Sequence, residues 1–481
     1  MMPTTPATSS PRRLSSLPAL LSAGAAVLAL SGCASLPGAS AGQGTGPRPS
    51  PALAAPPPDA LTQAAPANWQ APLAHQGQGA ELSRWWSRFD DPVLGELVER
   101  AQAASPTLSA ARARVEQARA AVTTAGAALG PTLDGTASAL RGKPDLQTRS
   151  GLSLSAGLQA GWELDLFGAN RAGRSAADAR FTGATAGWHD ARVSVAAETA
   201  TTYLQLRACE AQLQMAETDT ASRAETARLT DLSEKAGFQS PSASALARAS
   251  AAQGRTLLSA QRTQCDTLVK ALVSLTAMDE PALRAALAPR TARLPAPEPL
   301  ALAVASVPAE VLRQRPDLRA AEAEWLAAAS DRDEASAQRY PQVRLSGAIG
   351  GTRLSSSGVS VSGTTWTIGP VTVTLPIFDG GRRAAQTAAA EARLVDARQQ
   401  FAARVRESTR EVENALLQLR STAERSADAQ SAARDFEASF RAAEARQRGG
   451  LASLFELEDA RRTAVAANNA LIDLQRERLT A

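Results

Sequence analysis

The stretch Leu152-Ser153-Leu154-Ser155-Ala156-Gly157-Leu158-Gln159-Ala160-Gly161-Trp162-Glu163-Leu164 decides the fold. Every even position is Leu, Ala or Trp, and every odd position is Ser, Gly, Gln or Glu. Successive side chains of a β-strand point to opposite faces, so this period of two makes one face apolar and the other polar. A barrel strand that crosses a bilayer needs about 9–11 residues. The run is long enough. A soluble sandwich strand alternates in the same way, so the membrane reading has to come from the rest of the chain.

Working outward, weaker alternation appears at Val343, Leu345 and Ile349, and again at Trp366, Ile368, Val371, Val373 and Leu375. The last series changes parity at Gly369-Pro370, which predicts a bulge or bend. Strands are expected at about 132–141, 151–165, 342–353 and 365–376. A transmembrane barrel needs at least about eight strands. Four would leave open edges, which a bilayer does not tolerate. If these strands span a membrane, several chains must share one barrel.

The chain is written twice. Pro106-Thr107-Leu108 is matched by Pro316-Asp317-Leu318, Phe167-Gly168 by Phe378-Asp379, Leu204-Gln205-Leu206-Arg207 by Leu417-Gln418-Leu419-Arg420, and Gly237 by Gly450. The order is kept while the offset drifts only slightly, which is the mark of a tandem duplication. Each copy reads as a helix, two strands, a very long helix, a tight break and a returning helix. Residues 81–290 form the first expected repeat, with a long hairpin over 171–277. Residues 300–481 form the second, with a hairpin over 382–480.

Neither long segment, from Arg171 to Ala236 or from Arg382 to Arg448, contains proline. Each spans about 100 Å as a helix. Leu394, Phe401, Val405, Val412 and Leu419 suggest a short heptad register and left-handed supercoiling. The breaks at Gly237-Phe238-Gln239-Ser240-Pro241 and Gly449-Gly450-Leu451 read as hairpin tips, with glycine as C-cap and proline starting the return. Cys209 and Cys265 lie equally far from Gly237 on either side. An antiparallel hairpin puts them at one height, so a Cys209–Cys265 disulfide is expected in an oxidising compartment.

The N-terminus reads as an address. Arg12 and Arg13 precede an apolar run from Leu17 to Leu30, too short to span a bilayer but suited to a signal-peptide core. It ends in Leu30-Ser31-Gly32-Cys33, which resembles a bacterial lipobox. This implies removal of residues 1–32 and diacylglycerol on Cys33. Ala34, next in line, favours the Gram-negative outer membrane by resemblance to lipoprotein sorting rules. Residues 33–80 are rich in Pro, Ala and Gly and read as a tether from the lipid.

Composition excludes several classes. The 51 Lys and Arg against 47 Asp and Glu are too balanced for a nucleic-acid groove. Two His and three Cys cannot assemble a His/Cys zinc site without carboxylates. The Gly-x-Ser-x-Gly match at Gly38-Ala39-Ser40-Ala41-Gly42 falls in the Pro/Ala/Gly-rich tether rather than at a strand-to-helix elbow, and no Gly-x4-Gly-Lys phosphate loop occurs, so an enzyme is not expected.

The chain resembles the outer-membrane factor family, the TolC-like channels, and within it the lipoprotein branch of drug-efflux components (the NodT family). The residues that carry this are Trp85-Trp86-Ser87-Arg88-Phe89-Asp90-Asp91-Pro92, Trp162-Glu163-Leu164-Asp165-Leu166-Phe167-Gly168, Arg315-Pro316-Asp317-Leu318, Gly350-Gly351 and Leu375-Pro376-Ile377-Phe378-Asp379-Gly380-Gly381. The resemblance implies a mainly helical, tandem-duplicated protomer. As a homotrimer it would close a twelve-stranded outer-membrane barrel above a periplasmic helical tunnel. That tunnel would meet a membrane-fusion adaptor and an inner-membrane pump of the RND type. By the same resemblance Phe455, Asp459 and Arg462 fall on the positions of a periplasmic gate: an apolar plug, an acidic ring and a latch. Gly237, Phe238, Ser240, Gly449, Gly450 and Leu451 are then the expected adaptor contacts. Two departures stand out: Phe455 is bulkier than the usual aliphatic, and the sequence stops at Leu479-Thr480-Ala481, so the family's segment after the last helix is either absent or cut off by truncation. A duct for protein secretion fits the same architecture. A coiled-coil lipoprotein would explain the helices but not the amphipathic strands.

Overall fold

The computed structural model describes residues 55–57, 59–66, 69, 70, 86, 89–143, 150–292, 294, 295, 308–356 and 358–481. Cys33, the signal segment and most of the expected tether lie outside them.

The helix starts are written locally. Asp91 precedes α2 (Pro92–Ala104), and its side chain accepts the Val93 N–H at 3.1 Å. Ser105 caps α3 (Pro106–Ala127) by accepting the Leu108 N–H. Both helices begin with proline, whose missing N–H costs nothing there. Strands β1 (Thr132–Gly142) and β2 (Gly151–Leu164) follow. Next come α4 (Ala169–Lys235), α5 (Pro241–Thr276) and α6 (Glu280–Leu287). The second half runs α7 (Pro308–Leu312), α8 (Pro316–Ala337), β3 (Gln342–Ser356), β4 (Val359–Thr374), α9 (Arg382–Arg448) and α10 (Leu454–Thr480). A short helix, α1 (Ala60–Ala64), precedes them all.

The duplication is visible in the elements. Helices α3 and α8 each have 22 residues, and α4 and α9 each have 67. Both long helices start after a left-handed glycine, Gly168 or Gly381. Both have an aspartate at the start. Asp165 accepts the Asn170 and Arg171 N–H groups, and Asp379 accepts those of Gly381 and Arg383. A carboxylate there satisfies orphan donors and matches the helix dipole.

Helices α3 and α5 both lie along α4, and α8 and α10 both lie along α9. Two shorter helices thus cover each long one. Helix α8 also packs on α4, which joins the two repeats. One core gathers Phe89, Leu94, Tyr203, Leu206 and Leu272, and a second gathers Leu318, Trp325, Leu394, Phe401 and Val405.

The seam on α9 departs from the expected heptad. Thr387, Ala390, Leu394, Ala397 and Phe401 keep the three-four heptad spacing at its start, but between Leu394 and Leu416 the buried positions are Leu394, Ala397, Phe401, Val405, Ser408 and Leu416. With half-buried Val412 the spacing is three, four, four, three, four, four. This is an eleven-residue repeat, close to the natural 3.6-residue turn, and it removes the drive for left-handed supercoiling.

Two boundaries also change. Strands β3 and β4 continue to Ser356 and from Val359, beyond the expected 353 and 365. Ser355, Ser360, Ser362 and Gly363 hide the alternation there, yet backbone pairing carries on. Within the span read as a tether, Ala60 and Leu61 join the second core, and Arg313 donates to Thr62 at 2.8 Å. Small apolar residues docked on an existing core order a segment that could not order itself.

In the structure Cys209 and Cys265 are bonded, with Cα atoms 5.6 Å apart and a sequence separation of 56. Arg315 makes a bidentate pair with Asp317 at 3.0 and 2.9 Å and also reaches Glu411 on α9 at 2.7 Å. Burial pushes the Asp317 carboxyl up, but the Arg315 hydrogen bonds and charge outweigh it and hold the carboxyl below its ordinary value.

Two outcomes are expected. Cys265→Ser lowers stability by up to about 4 kcal/mol, the chain-entropy value for a loop of this length. Alkylation of the unfolded wild-type chain without reductant, read by mass, should label neither Cys209 nor Cys265. Asp317 has a depressed folded pKa, so its contribution is present above about pH 4 and is lost as pH falls. Urea midpoints measured from neutral pH downward should fall less steeply in Asp317→Asn than in wild type, with the variant already weaker at neutral pH.

Candidate functional site

The four strands form one antiparallel sheet in the order β1-β2-β3-β4. Register fixes which side chains share a face. Leu158 stands opposite Ile349, and Ile349 opposite Trp366. Ser155 stands opposite Thr352 and Ser138. One face is therefore apolar, with Leu154, Leu158, Ile349, Trp366, Ile368 and Val371 all exposed. The other carries Thr136, Ser138, Ser155, Gln159, Thr352 and Thr367. Along β2 the leucines are exposed and the residues between them half-buried, so the sheet curves with its apolar face outward. The parity change lies where the sequence put it: Gly369 and Pro370 on β4 face the single Ser346 on β3, whose hydroxyl donates to the Pro370 carbonyl at 3.2 Å.

Strands β1 and β4 each have one neighbour. Their outer edges present unpaired N–H and C=O groups, so the sheet is an unfinished wall. At its base the Trp162 indole donates to the Leu129 carbonyl at 3.0 Å, and Phe167 stacks on Tyr340. Ile377 and Phe378 are almost fully exposed nearby in sequence. Such an aromatic and apolar fringe suits a membrane interface.

At the opposite end of the long helices are the two tips. They close in the same way. The Phe238 N–H reaches the Ser233 carbonyl at 2.8 Å, and the Leu451 N–H reaches the Arg446 carbonyl at 2.8 Å. Gly237 and Gly450 hold positive φ, as this helix ending requires. Ser240 and Ser453 then cap the returning helices. Phe238 and Leu451 are 84% and 81% exposed, large apolar side chains offered to water at both tips.

Of the three residues expected at a gate, Asp459 and Arg462 are brought together. Arg462 donates to Asp459 at 2.5 Å on one exposed helix face. Phe455, one turn earlier, is 74% exposed. Among the described residues, Asp459 and Arg462 make no hydrogen bond or ion pair to the other hairpin.

The neighbour Arg461, which sequence reasoning passed over, does. Its side chain is 1% exposed. It donates to Glu458 at 2.5 Å, to Ser222 at 3.0 Å and to Thr226 at 3.1 Å, and lies over the Phe440 ring. Arg223 completes the cluster by donating to Asp219, Ser250 and Glu458. Two arginines and two carboxylates from α4 and α10 thus bind the first hairpin to the second. Burial lowers the Arg461 pKa, against the pull of Glu458 and Asp219. The available sequence signal was the pair of charged spacings, Asp219–Arg223 and Glu458–Arg461. Nothing in it indicated that they face each other.

An amphipathic sheet with open edges, set on paired helices about 100 Å long, defines the protomer of a membrane duct. The chain belongs to the outer membrane efflux protein family, whose model matches residues 97–278 and 307–481. It is 30% identical over 464 residues to the pyoverdine export outer membrane protein OpmQ of Pseudomonas putida, covering 89% of this chain and 92% of that one. It is 28% identical over 444 residues to the solvent efflux pump outer membrane protein SrpC of Pseudomonas putida, covering 88% and 92%. The solved outer-membrane channel OprN superposes with a TM-score of 0.75 at 27% identity, covering 86% of this chain and 94% of that one.

Removing one member of a buried ion-pair cluster leaves an uncompensated charge and costs about 3–5 kcal/mol, while an exposed helical pair contributes under about 1 kcal/mol. Arg461→Ala should therefore lower the unfolding midpoint strongly in a denaturant titration, and Arg462→Ala should barely move it.

Proposed function

We propose that the protein is a passive trimeric export duct of the outer membrane, the outer component of a tripartite efflux pump for small molecules. The observation that carries this is the four-stranded amphipathic sheet with two open edges. Three copies would pair β4 of one with β1 of the next and close twelve strands, satisfying every edge group inside the bilayer. The polar inner face would line the lumen. Beneath it, the paired helices would close into a tunnel reaching across the periplasm.

The relatives support an efflux role: one exports pyoverdine and another serves solvent efflux. In this reading the driving energy comes from an inner-membrane pump of the RND type. A periplasmic adaptor docks on the tips, with Phe238 and Leu451 as its apolar contacts and Gly237, Ser240, Gly449 and Gly450 shaping the turns. Three-fold symmetry turns Phe455 into an apolar plug and Asp459 into an acidic ring, with Arg462 holding Asp459 in place. Acylation of Cys33 anchors the N-terminus to the same membrane.

The test is single-channel conductance of the purified trimer in planar bilayers. Wild type should be mostly closed, and Asp459→Ala should raise the conductance. A monomeric mass with no conductance from either protein would sink the duct. High conductance in both would remove the gate from Phe455, Asp459 and Arg462.

A further inference from the structure

The outward face of the described strands carries only two charges, and both are arginines at the same end. Arg353 on β3 stands opposite Leu154, and Arg141 on β1 stands opposite Leu152. Both positions share the outward face of those leucines. The acidic residues of the sheet, Asp134 and Glu163, lie on the inner face, where Glu163 stands opposite Arg344. Arg141 and Arg353 form no ion pair with a described residue, and both are exposed.

Their height matters. From Leu164 to Leu154 the outward face of β2 is apolar, a rise of about 33 Å along the strand. At a strand tilt of about 40° this is about 25 Å of membrane thickness, the height of a barrel's apolar band. Arg353 therefore sits at the upper edge of the band, and Arg141 one row beyond. Around them the outward face turns to Ser355, Ser360 and Ser362, while Leu140, Leu354 and Val361 move to the inner face. The two faces exchange polarity at this level, which marks where hydrocarbon ends. This end holds the strand turns and lies away from the helices, so it faces the cell exterior.

We propose that Arg141 and Arg353 form a binding site for the phosphate of a phosphorylated lipid headgroup in the outer leaflet. A guanidinium at headgroup depth has no hydrocarbon to fear and, among the described residues, no carboxylate to pair with. Phosphate is the anion its fork matches. The two Cα positions are about 12 Å apart across β2 by strand spacing and rise. One headgroup with two phosphates can bridge them over Leu152 and Leu154. The apolar side chains below would hold its acyl chains, and a symmetric trimer would carry the site on each protomer.

The test uses the full-length trimer in nanodiscs of phosphatidylcholine doped with bis-phosphorylated lipid A, or with the same lipid A stripped of both phosphates. Lipid retained per trimer is measured by native mass spectrometry. Wild type should prefer the phosphorylated form by about tenfold or more, and R141Q/R353Q should lose the preference. The trimer mass in the same spectrum reports barrel assembly, so loss of lipid from an intact trimer is distinct from loss of the duct. If the double variant does not assemble, R353Q alone should still weaken the preference. Equal retention of the two lipids by wild type, or an undiminished preference in the variants, would overturn the proposal. Equally strong retention of inorganic phosphate in discs without lipid A would assign the site to a free anion and overturn it as well.

Discussion

Unpaired backbone groups cannot be left in hydrocarbon, and this constraint organises the molecule. The sheet is amphipathic and long enough to cross a bilayer, yet among the described residues it stops at four strands with both edges open. A protomer built this way is incomplete by itself. Its edges demand other copies, and the ring of copies determines what the helices below must do.

The helical part meets a different difficulty. A helix of 67 residues offers little apolar surface per turn when it is rich in alanine. Two cores near the level of Tyr203 and Phe401 do most of the packing, and farther down small residues let the helices approach closely. Polar devices make up the difference: the Arg315–Asp317–Glu411 group between α8 and α9 and the Arg461–Glu458–Arg223–Asp219 cluster toward the tips. Each joins elements from different hairpins or helices, so removing one partner would leave an uncompensated charge between them.

The two halves share a plan but not its details. Gly168 and Gly381, Asp165 and Asp379, and Gly237 and Gly450 occupy the same roles. Arg207 and its counterpart Arg420 do not. Arg207 is fully buried, donating to Glu210 and the Leu287 carbonyl, whereas Arg420 pairs with Glu424 on an exposed face. A duplicated backbone has kept its caps and turns while its side chains have taken separate partners.

Much of this was legible in the sequence because the deciding features are local. Alternation at Leu152–Leu164 is a property of one strand, glycine and proline punctuate one turn, and the duplication is a comparison of the chain with itself. Cys209 and Cys265 could be paired on paper because a hairpin converts sequence distance into height. The longer reach of β3 and β4, the eleven-residue seam on α9 and the docking of Ala60–Ala64 needed the partner surfaces. Phe455, Asp459 and Arg462 come from resemblance to the family's tip helix, which gives no sign of the buried Arg461 next to them. Adjacent positions on a helix point about 100° apart, and only the packing of α10 on α4 decided which of two neighbouring arginines would be taken out of water.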